Sequence, residues 1–302
     1  MTAEQRITAF VAAEEPAIVS TLGDLVRIPT VNPPGLGYEA CVEYLSRLLA
    51  AWGVDHRVIT VPDGDHPRLS IIGAYGPAEP GLHFHGHYDV VAAQSPGQFE
   101  PEIRCGRLYG RGTADMKGGI VAMLFAIRAL EVSEIELVQG ISFTLVPDEE
   151  TGGRLGVRHL ADQGLLPRPS VGVLMPEPSS GAIWRACRGV LTLRVVVKGK
   201  PAHGVLAHHG VNAFEGMVAV MNSVLELKQR VVARQTALPV SPVEATRSVM
   251  LLGGAAASGF HSNVVPESAW FTIERRLNPE ETLAEARGEL DRVFDEHRAK
   301  GL

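Results

Sequence analysis

Residues 82–89 have the sequence LHFHGHYD, a short apolar run that ends in a histidine and an aspartate. Three similar runs occur elsewhere, each bounded by Gly, Pro or acidic residues: Leu69–Gly73, Ile141–Val146 and Val171–Met175. Such runs are typical of buried strands. A strongly apolar helix is predicted between them, over Gly119–Leu130. Strands that alternate with helices predict an α/β layer with a largely parallel sheet.

The residues that directly follow these strands are the first candidates for function, because such sheets bind ligands beyond the carboxyl ends of their strands. Four segments place an imidazole or a carboxylate there or in a Gly-rich turn: GHYD (86–89), GRGTADMKGG (110–119), DEETGG (148–153) and PEP (176–178). Each alone is weak evidence, since a lone histidine is more often a satisfied loop residue and a Glu pair is usually solvated. Together they indicate a cation, because carboxylates gathered at one sheet edge repel one another unless a cation neutralises them.

The residue types in these segments predict the kind of metal. An imidazole plus several carboxylates suits zinc, or alternatively cobalt or manganese, and carboxylates can bridge two ions about 3.5–4 Å apart. Asp89 lies two residues after His87 and can accept the other ring N–H of the imidazole, which would orient it. The alternative for Asp89 is a plain turn residue.

Composition excludes several other classes of protein. The chain has 302 residues, 45% of them hydrophobic and 21% charged, which predicts a globular protein rather than a disordered or coiled-coil one. A net charge of -6 without a run of like charges argues against nucleic acid or an anionic membrane as partner. Charged residues interrupt the first sixteen positions, so we expect a cytoplasmic protein. The three cysteines form no CxxC pattern and suggest neither a disulfide framework nor a thiolate zinc site.

The sequence pattern changes after Arg188. Apolar and polar residues alternate over 191–198 and predict a half-buried strand. A helix from about Asn212, two strands and a second helix after Pro279 follow, which gives the order β-α-β-β-α. This order predicts a small separate α+β unit of the ferredoxin-like split βαβ kind that lacks its last strand. We therefore expect two domains, residues 1–188 and 189–302.

The order of the four segments resembles the M20 metallopeptidase family, which includes acetylornithine deacetylase, succinyl-diaminopimelate desuccinylase, aminoacylase-1 and glutamate carboxypeptidase. The likeness begins at IPTVNPPG (28–35) and covers nearly the whole chain. It implies an α/β catalytic domain with an inserted lid or dimerisation domain, and two Zn²⁺ ions. The site residues that it implies are His87 and Glu177 on one metal, Glu150 on the second, Asp115 bridging both, and Glu149 as the catalytic carboxylate.

The resemblance also implies a mechanism in which Glu149 is the general base. Water held between two dications has its pKa lowered toward about 7, so a carboxylate can take its proton at neutral pH. The hydroxide then attacks an amide carbonyl. Glu149, now protonated, would pass the proton to the departing amine.

The second domain resembles the family's lid. The segment GKPAHG (199–204) resembles the loop whose histidine, here His203, reaches the active site of the partner subunit and stabilises the oxyanion. Asn263 and Arg276 match the lid residues that bind the substrate carboxylate, for which a bidentate guanidinium is suited. Arg275 falls on the opposite face of the strand and is expected to form an ordinary salt bridge. The resemblance implies a homodimer formed through the lid.

Family members continue well beyond this length and supply a final histidine that ligates the second metal. The sequence ends at Gly301-Leu302 and contains no later histidine. We therefore expect a C-terminally truncated chain whose second metal site lacks this ligand. Such a chain would be a poor catalyst.

The leading interpretation is a metal-dependent hydrolase of amide bonds in N-acyl amino acids, of the deacetylase or desuccinylase type. A dipeptidase or carboxypeptidase is the second choice. An alternative of a different class is a non-catalytic or impaired family fragment that acts through lid-mediated dimerisation, against which the intact Glu149 argues. A dinuclear aminopeptidase of a related fold is disfavoured by the inserted domain and by Arg276.

Overall fold

The protein is described by a computed structural model that covers residues 1–63, 65–184 and 187–301. Leu302, the predicted end of the second domain, lies outside the described residues. The chain divides into two compact units, Met1–Ile183 and Trp184–Leu302, whereas the sequence pattern predicts the boundary after Arg188. Within the described ranges, no helix has the length and apolar character needed to cross a membrane.

Over its described residues, the first unit contains a five-stranded sheet, a two-stranded hairpin and four α-helices. Its helices are α1 (Ala3–Arg27), α2 (Tyr38–Ala51), α3 (Gly118–Val132) and α4 (Val157–Asp162). Its strands are β1 (Asp55–Val61), β2 (Arg68–Tyr75), β3 (Pro80–His87), β4 (Glu102–Arg104), β5 (Arg107–Tyr109), β6 (Gly140–Val146) and β7 (Gly172–Leu174). The large sheet has the order β1-β2-β6-β3-β7, and β4 pairs with β5.

The large sheet is mixed, so the prediction of a largely parallel sheet is wrong. Strand β3 runs parallel to β6 and β7, but β2 is antiparallel to both β1 and β6. The reason is the short segment 76–79 that joins β2 to β3. A connection of this length reverses the chain direction, whereas parallel neighbours need a long crossover.

The apolar pattern predicts α3 and the strands β2, β3, β6 and β7, but it does not predict α1, α4, β1 or the β4–β5 hairpin. Helix α1 begins with a capping box formed by Thr2 and Gln5, and its buried residues lie only near its end, between Thr21 and Val26. A helix that is exposed over most of its length has little apolar periodicity. Since apolar periodicity is the pattern that predicts a helix, such a helix is missed.

Helices α1, α2 and α3 contribute to the core of the first unit together with β2, β3 and β6. The members of this core that are at most 1% exposed include Leu25, Leu45, Leu49, Ile71, Ile120, Leu124, Phe143 and Leu145. Each such side chain contributes about 1.5–3 kcal/mol through burial. This packing holds β3 and β6 in one register, in which His87 is the partner of Val146. The residues that follow both strands therefore emerge at the same edge of the sheet.

The second unit has the predicted order of strands and helices. It consists of β8 (Gly189–Lys198), α5 (Ala213–Val232), β9 (Val249–Ser258), β10 (Ser268–Leu277) and α6 (Leu283–Arg298). The three strands form an antiparallel sheet in the order β8-β10-β9. Asn212 caps α5 through its side-chain oxygen, and Thr282 begins α6 with a capping box. These caps satisfy the free N–H groups at the helix starts.

A buried arginine is the centre of an ion-pair network in the second unit. Arg275 on β10 is fully buried, and its guanidinium binds Glu281 at 2.7 Å and Glu289 at 2.6 Å. Arg234 pairs with the same two carboxylates. The expectation that Arg275 forms a salt bridge is confirmed. Since a buried charge is costly without partners, these ion pairs offset the cost of burying Arg275, and they connect β10 with α6 and with the turn before it.

The ion pairs change the pKa of Glu281. Burial by itself would raise this pKa, but hydrogen bonds from Ser248, the backbone N–H of Asn278, Arg275 and Arg234 lower it to about 2. Ionised Glu281 therefore contributes stability that is fully present above its ordinary pKa of 4.5 and is lost as the pH falls towards 2.

We expect Glu281→Gln to lower the free energy of unfolding at pH 7 by about 1.5–3 kcal/mol, the range for hydrogen bonds to charged groups. The same variant should lose less stability on acidification than the parent, because the titrating carboxyl is gone. Urea unfolding followed by circular dichroism at pH 7 and pH 3 measures both effects. Glu226→Gln, at an exposed position of α5, is the matched control. Equal losses in the two variants would contradict the role assigned to the buried ion pairs.

Candidate metal centre

The ends of three neighbouring strands bring the candidate residues together. His87 is the last residue of β3, and the backbone N–H of the next residue, Tyr88, donates to Val146 at the end of β6. The turn that carries Glu149 and Glu150 follows β6 directly. Glu177 comes just after β7, which is the other neighbour of β3. The carboxyl ends of these three parallel strands meet at one edge, as such sheets require.

His87, Asp115 and Glu177 form a compact group. The Nε2 atom of His87 lies 3.1 Å from Asp115 Oδ1 and 3.5 Å from Glu177 Oε1. One ligand atom from each residue lies within 4.8 Å of the others. Ligands at about 2.0–2.2 Å from a tetrahedral zinc ion lie about 3.4 Å from one another. The three residues therefore fit a single divalent ion in both donor chemistry and spacing.

The group formed by His87, Asp115 and Glu177 has more acidic than basic side chains. Burial alone would lower the pKa of His87, but hydrogen bonds with Asp115 and Asp89 and the charges of Asp89 and Glu177 raise it to about 10. The hydrogen bond with His87 lowers the pKa of Asp115. Burial raises the pKa of Glu150 and of Glu177, and neighbouring carboxylates raise both further. Raised carboxyl pKa values are what mutual repulsion produces, and a bound cation would relieve it.

Glu149 and Glu150 lie beside this group. Glu149 Oε2 is 3.9 Å from His87 Nε2, and its side chain is 54% exposed. The Glu150 carboxylate is not part of the group formed by His87, Asp115 and Glu177. Burial raises the pKa of Glu150, and the nearby negative charge of Asp115 raises it further. The role of Glu150 as a ligand of a second ion stays a prediction.

Asp89 lies beneath the group and is fully buried. Its Oδ1 atom is 3.1 Å from Nδ1 of His87, on the side of the ring opposite Asp115. The backbone N–H groups of Glu149 and Glu150 donate to its Oδ1 and Oδ2 atoms, each at 3.2 Å. Asp89 therefore contacts both the imidazole and the turn that carries the two glutamates.

The residues predicted to act from the lid all lie in the second unit. His203 and Asn263 are close together, because the N–H of Gly204 donates to Asn263 O at 2.7 Å and His203 pairs with Val264 in an isolated bridge. Arg276 is exposed on β10 and binds Glu274 at 2.8 Å. The structure thus brings His203 and Asn263 together, while Arg276 pairs with its neighbour on the strand.

The sequence pattern does not single out three residues that support the site: Asn32, Lys117 and Thr151. Asn32 donates from Nδ2 to Asp89 Oδ2 and to Thr151 Oγ1, both at 2.9 Å. Lys117 is fully buried and donates to backbone oxygens at the end of α1 and just after it. All three lie inside the quoted motifs, but no periodicity or spacing distinguishes them from their neighbours, because their partners are distant in sequence.

Several known proteins are similar to this chain in sequence. A family model described as Peptidase family M20/M25/M40 matches residues 83–282. A probable succinyl-diaminopimelate desuccinylase of Staphylococcus epidermidis is 36% identical over 216 residues, which are 70% of this chain and 51% of that protein. A succinyl-diaminopimelate desuccinylase of Gluconacetobacter diazotrophicus is 31% identical over 226 residues, which are 71% of this chain and 57% of that protein. The chain spans about half the length of the curated relatives it matches.

Solved structures share the fold. An M20 family metallo-carboxypeptidase from Sulfolobus solfataricus has a TM-score of 0.73 at 18% identity and covers 93% of this chain, with 75% of its own chain matched. A di-peptidase from Saccharomyces cerevisiae has a TM-score of 0.73 at 15% identity, with 100% of this chain and 78% of its own covered. The expected α/β fold of the metallopeptidase type is confirmed by these likenesses.

We expect Glu177→Gln to weaken Zn²⁺ binding by at least about 100-fold, since residues outside the ligand set alone are worth about 10–100-fold. In the metal-free protein the same change should lower the pKa of His87, because it removes one of the charges that raise it. Isothermal titration with Zn²⁺ and NMR titration of the imidazole measure the two effects. Glu39→Gln, at an exposed position of α2, is the control. Unchanged Zn²⁺ affinity in Glu177→Gln would contradict this assignment of the metal centre.

Proposed function

Because the chain belongs to the peptidase family M20/M25/M40, we propose that it is a metal-dependent hydrolase of amide bonds in N-acyl amino acids or small peptides. The observation that carries this proposal is the group formed by His87, Asp115 and Glu177, with the Glu149 carboxylate 3.9 Å from the imidazole. Nitrogen and oxygen ligands next to a free carboxylate are the parts that metal-assisted amide hydrolysis needs.

The proposed roles divide the carboxylates into ligands and a base. His87, Asp115 and Glu177 would hold one ion, and Glu150 would hold a second that shares Asp115. When bound, the ions polarise the amide carbonyl and lower the pKa of the attacking water. Zinc as the metal and two ions per chain stay predictions, based on the donor set and the family resemblance.

Glu149 is the proposed general base. Its backbone is held by the hydrogen bond to Asp89, while its half-exposed side chain is free to reach a substrate. Its carboxylate would take a proton from the attacking water and then donate that proton to the nitrogen of the departing amine. Protonation makes the amine a better leaving group.

The relatives support an N-acyl amino acid as substrate. The two curated proteins with 36% and 31% identity are named as succinyl-diaminopimelate desuccinylases, which favours an N-succinyl amino acid. A small peptide is the second candidate, because a carboxypeptidase and a di-peptidase share the fold. Three roles stay predictions: oxyanion stabilisation by His203, binding of a substrate carboxylate by Asn263 and Arg276, and homodimer formation through the lid. A cytoplasmic location is likewise a prediction.

We expect Glu149→Gln to lower kcat by about 10²–10⁴-fold, the contribution of a positioned general base. Zn²⁺ binding should remain close to that of the parent, because this carboxylate is not a proposed ligand. Amine release from N-succinyl amino acids, N-acetyl amino acids and dipeptides, measured beside Zn²⁺ titration, tests both statements.

Glu150→Gln is the matched neighbour in this experiment. It should lose Zn²⁺ binding together with activity, since Glu150 is a proposed ligand. Full activity of Glu149→Gln with its metal bound would show that another group is the base. Metal-loaded parent protein that releases no amine from any of the three substrate classes would overturn the proposal of amide hydrolysis.

A further inference from the structure

The Asp89 carboxylate is the point at which several segments of the site meet. It accepts hydrogen bonds on Oδ1 from His87 Nδ1 and from the N–H of Glu149, and on Oδ2 from the N–H of Glu150 and from Asn32 Nδ2. The Asn32 bond is the shortest of the four, at 2.9 Å. A fully buried carboxylate that accepts several hydrogen bonds is held in one orientation.

Asn32 is itself fixed by its backbone. The segment Thr30–Asn32 runs beside Tyr88–Val90: the N–H of Asn32 donates to Val90 O, and the N–H of Val90 donates to Thr30 O, both at 2.9 Å. The hydroxyl of Thr30 also donates to Tyr88 O at 2.5 Å. Asn32 is 2% exposed, so its side chain has no room to turn away. The segment at the end of β3 that contains His87 and Asp89 therefore also fixes the orientation of the Asn32 amide.

The Asn32 amide bridges two groups. Its Nδ2 atom lies 2.9 Å from Asp89 Oδ2 and 2.9 Å from Thr151 Oγ1. The Thr151 hydroxyl donates its proton to Asp148 O, which leaves its oxygen as an acceptor towards Asn32. Both neighbours are acceptors, so the NH₂ end of the amide must face them. Asn32 thus connects the residue behind the imidazole with the far side of the turn that bears Glu149 and Glu150.

We propose that Asn32 is a positioning residue of the metal centre. Its amide holds the Asp89 carboxylate against His87 and ties that carboxylate to the 148–151 turn, so that the imidazole and the two glutamates keep one relative geometry. Without this donor, Asp89 loses its shortest hydrogen bond, and its Oδ2 atom keeps only the 3.2 Å bond from Glu150 N, so the carboxylate is held less firmly. The inference rests on the proposed function, since it assumes that His87 is a metal ligand.

Co²⁺ titration of the whole chain tests this role, because the visible absorption of bound Co²⁺ reports the ligand geometry and the titration gives the affinity. We expect Asn32→Ala to bind Co²⁺ about 10–100-fold more weakly than the parent, the usual loss for residues behind a ligand, and with a changed spectrum. Val42→Ala, which removes volume from the buried side of α2, is the control for a general loss of stability. It should leave the affinity and the spectrum of the folded protein unchanged.

Thr151 provides a second, independent variant, because it is exposed and its replacement does not disturb the core. Thr151→Val removes the hydroxyl that holds the amide and should weaken Co²⁺ binding, whereas Thr151→Ser keeps the hydroxyl and should bind like the parent. Adding Thr151→Val to Asn32→Ala should cause no further loss, since the bridge is already broken.

Two outcomes would overturn the proposal in different ways. If Co²⁺ binding depends on His87, as shown by its loss in His87→Ala, but Asn32→Ala and Thr151→Val keep the affinity and spectrum of the parent, Asn32 has no positioning role. If His87→Ala binds Co²⁺ as tightly as the parent does, the proposed metal centre is wrong and the role of Asn32 falls with it.

Discussion

Repulsion between carboxylates at the end of the parallel strands is the constraint on which the first unit depends. Asp115, Glu149, Glu150 and Glu177 converge there, and Nε2 of His87 lies 3.1 Å from Asp115, 3.5 Å from Glu177 and 3.9 Å from Glu149. The pKa values of Glu150 and Glu177 are raised by burial and by neighbouring negative charge. Such a group is stable at neutral pH when a cation lies among its members, which is why a metal site is the natural explanation of the arrangement.

In the second unit, clustered carboxylates are neutralised by arginine side chains. Glu281 and Glu289 are also gathered in one partly buried place, but Arg234 and Arg275 lie between them. Burial raises the pKa of both glutamates, yet hydrogen bonds lower it overall. For Glu281 these come from Ser248, the N–H of Asn278 and the two arginines, and for Glu289 they come from the two arginines. Within one chain, the two carboxylates that are paired with arginine have lowered pKa values, whereas the pKa values of Glu150 and Glu177 are raised. This contrast distinguishes a structural ion-pair network from a candidate metal site.

Asp89 explains how a site made of loops keeps its geometry. Functional loops are positioned by a rigid scaffold, and here the scaffold is the pair of parallel strands β3 and β6. Asp89 follows β3 and forms hydrogen bonds with the imidazole of His87, with the turn after β6 and with Asn32. Orientation of His87 is thus only one part of what Asp89 does, since it also holds the backbone of both glutamates.

The sequence by itself determined the strands that end in His87 and Val146, the βαββα order of the second unit and the ligand types, because apolar periodicity and residue chemistry are local properties. It did not determine α1, β1 or the direction of β2, which depend on packing and on a short connection rather than on periodicity. The family resemblance implied that His87, Asp115 and Glu177 share a metal, but only the tertiary structure decided the distances between them and that Asn32 supports Asp89. Those contacts join residues far apart in sequence, and their distances follow from how the strands and helices pack.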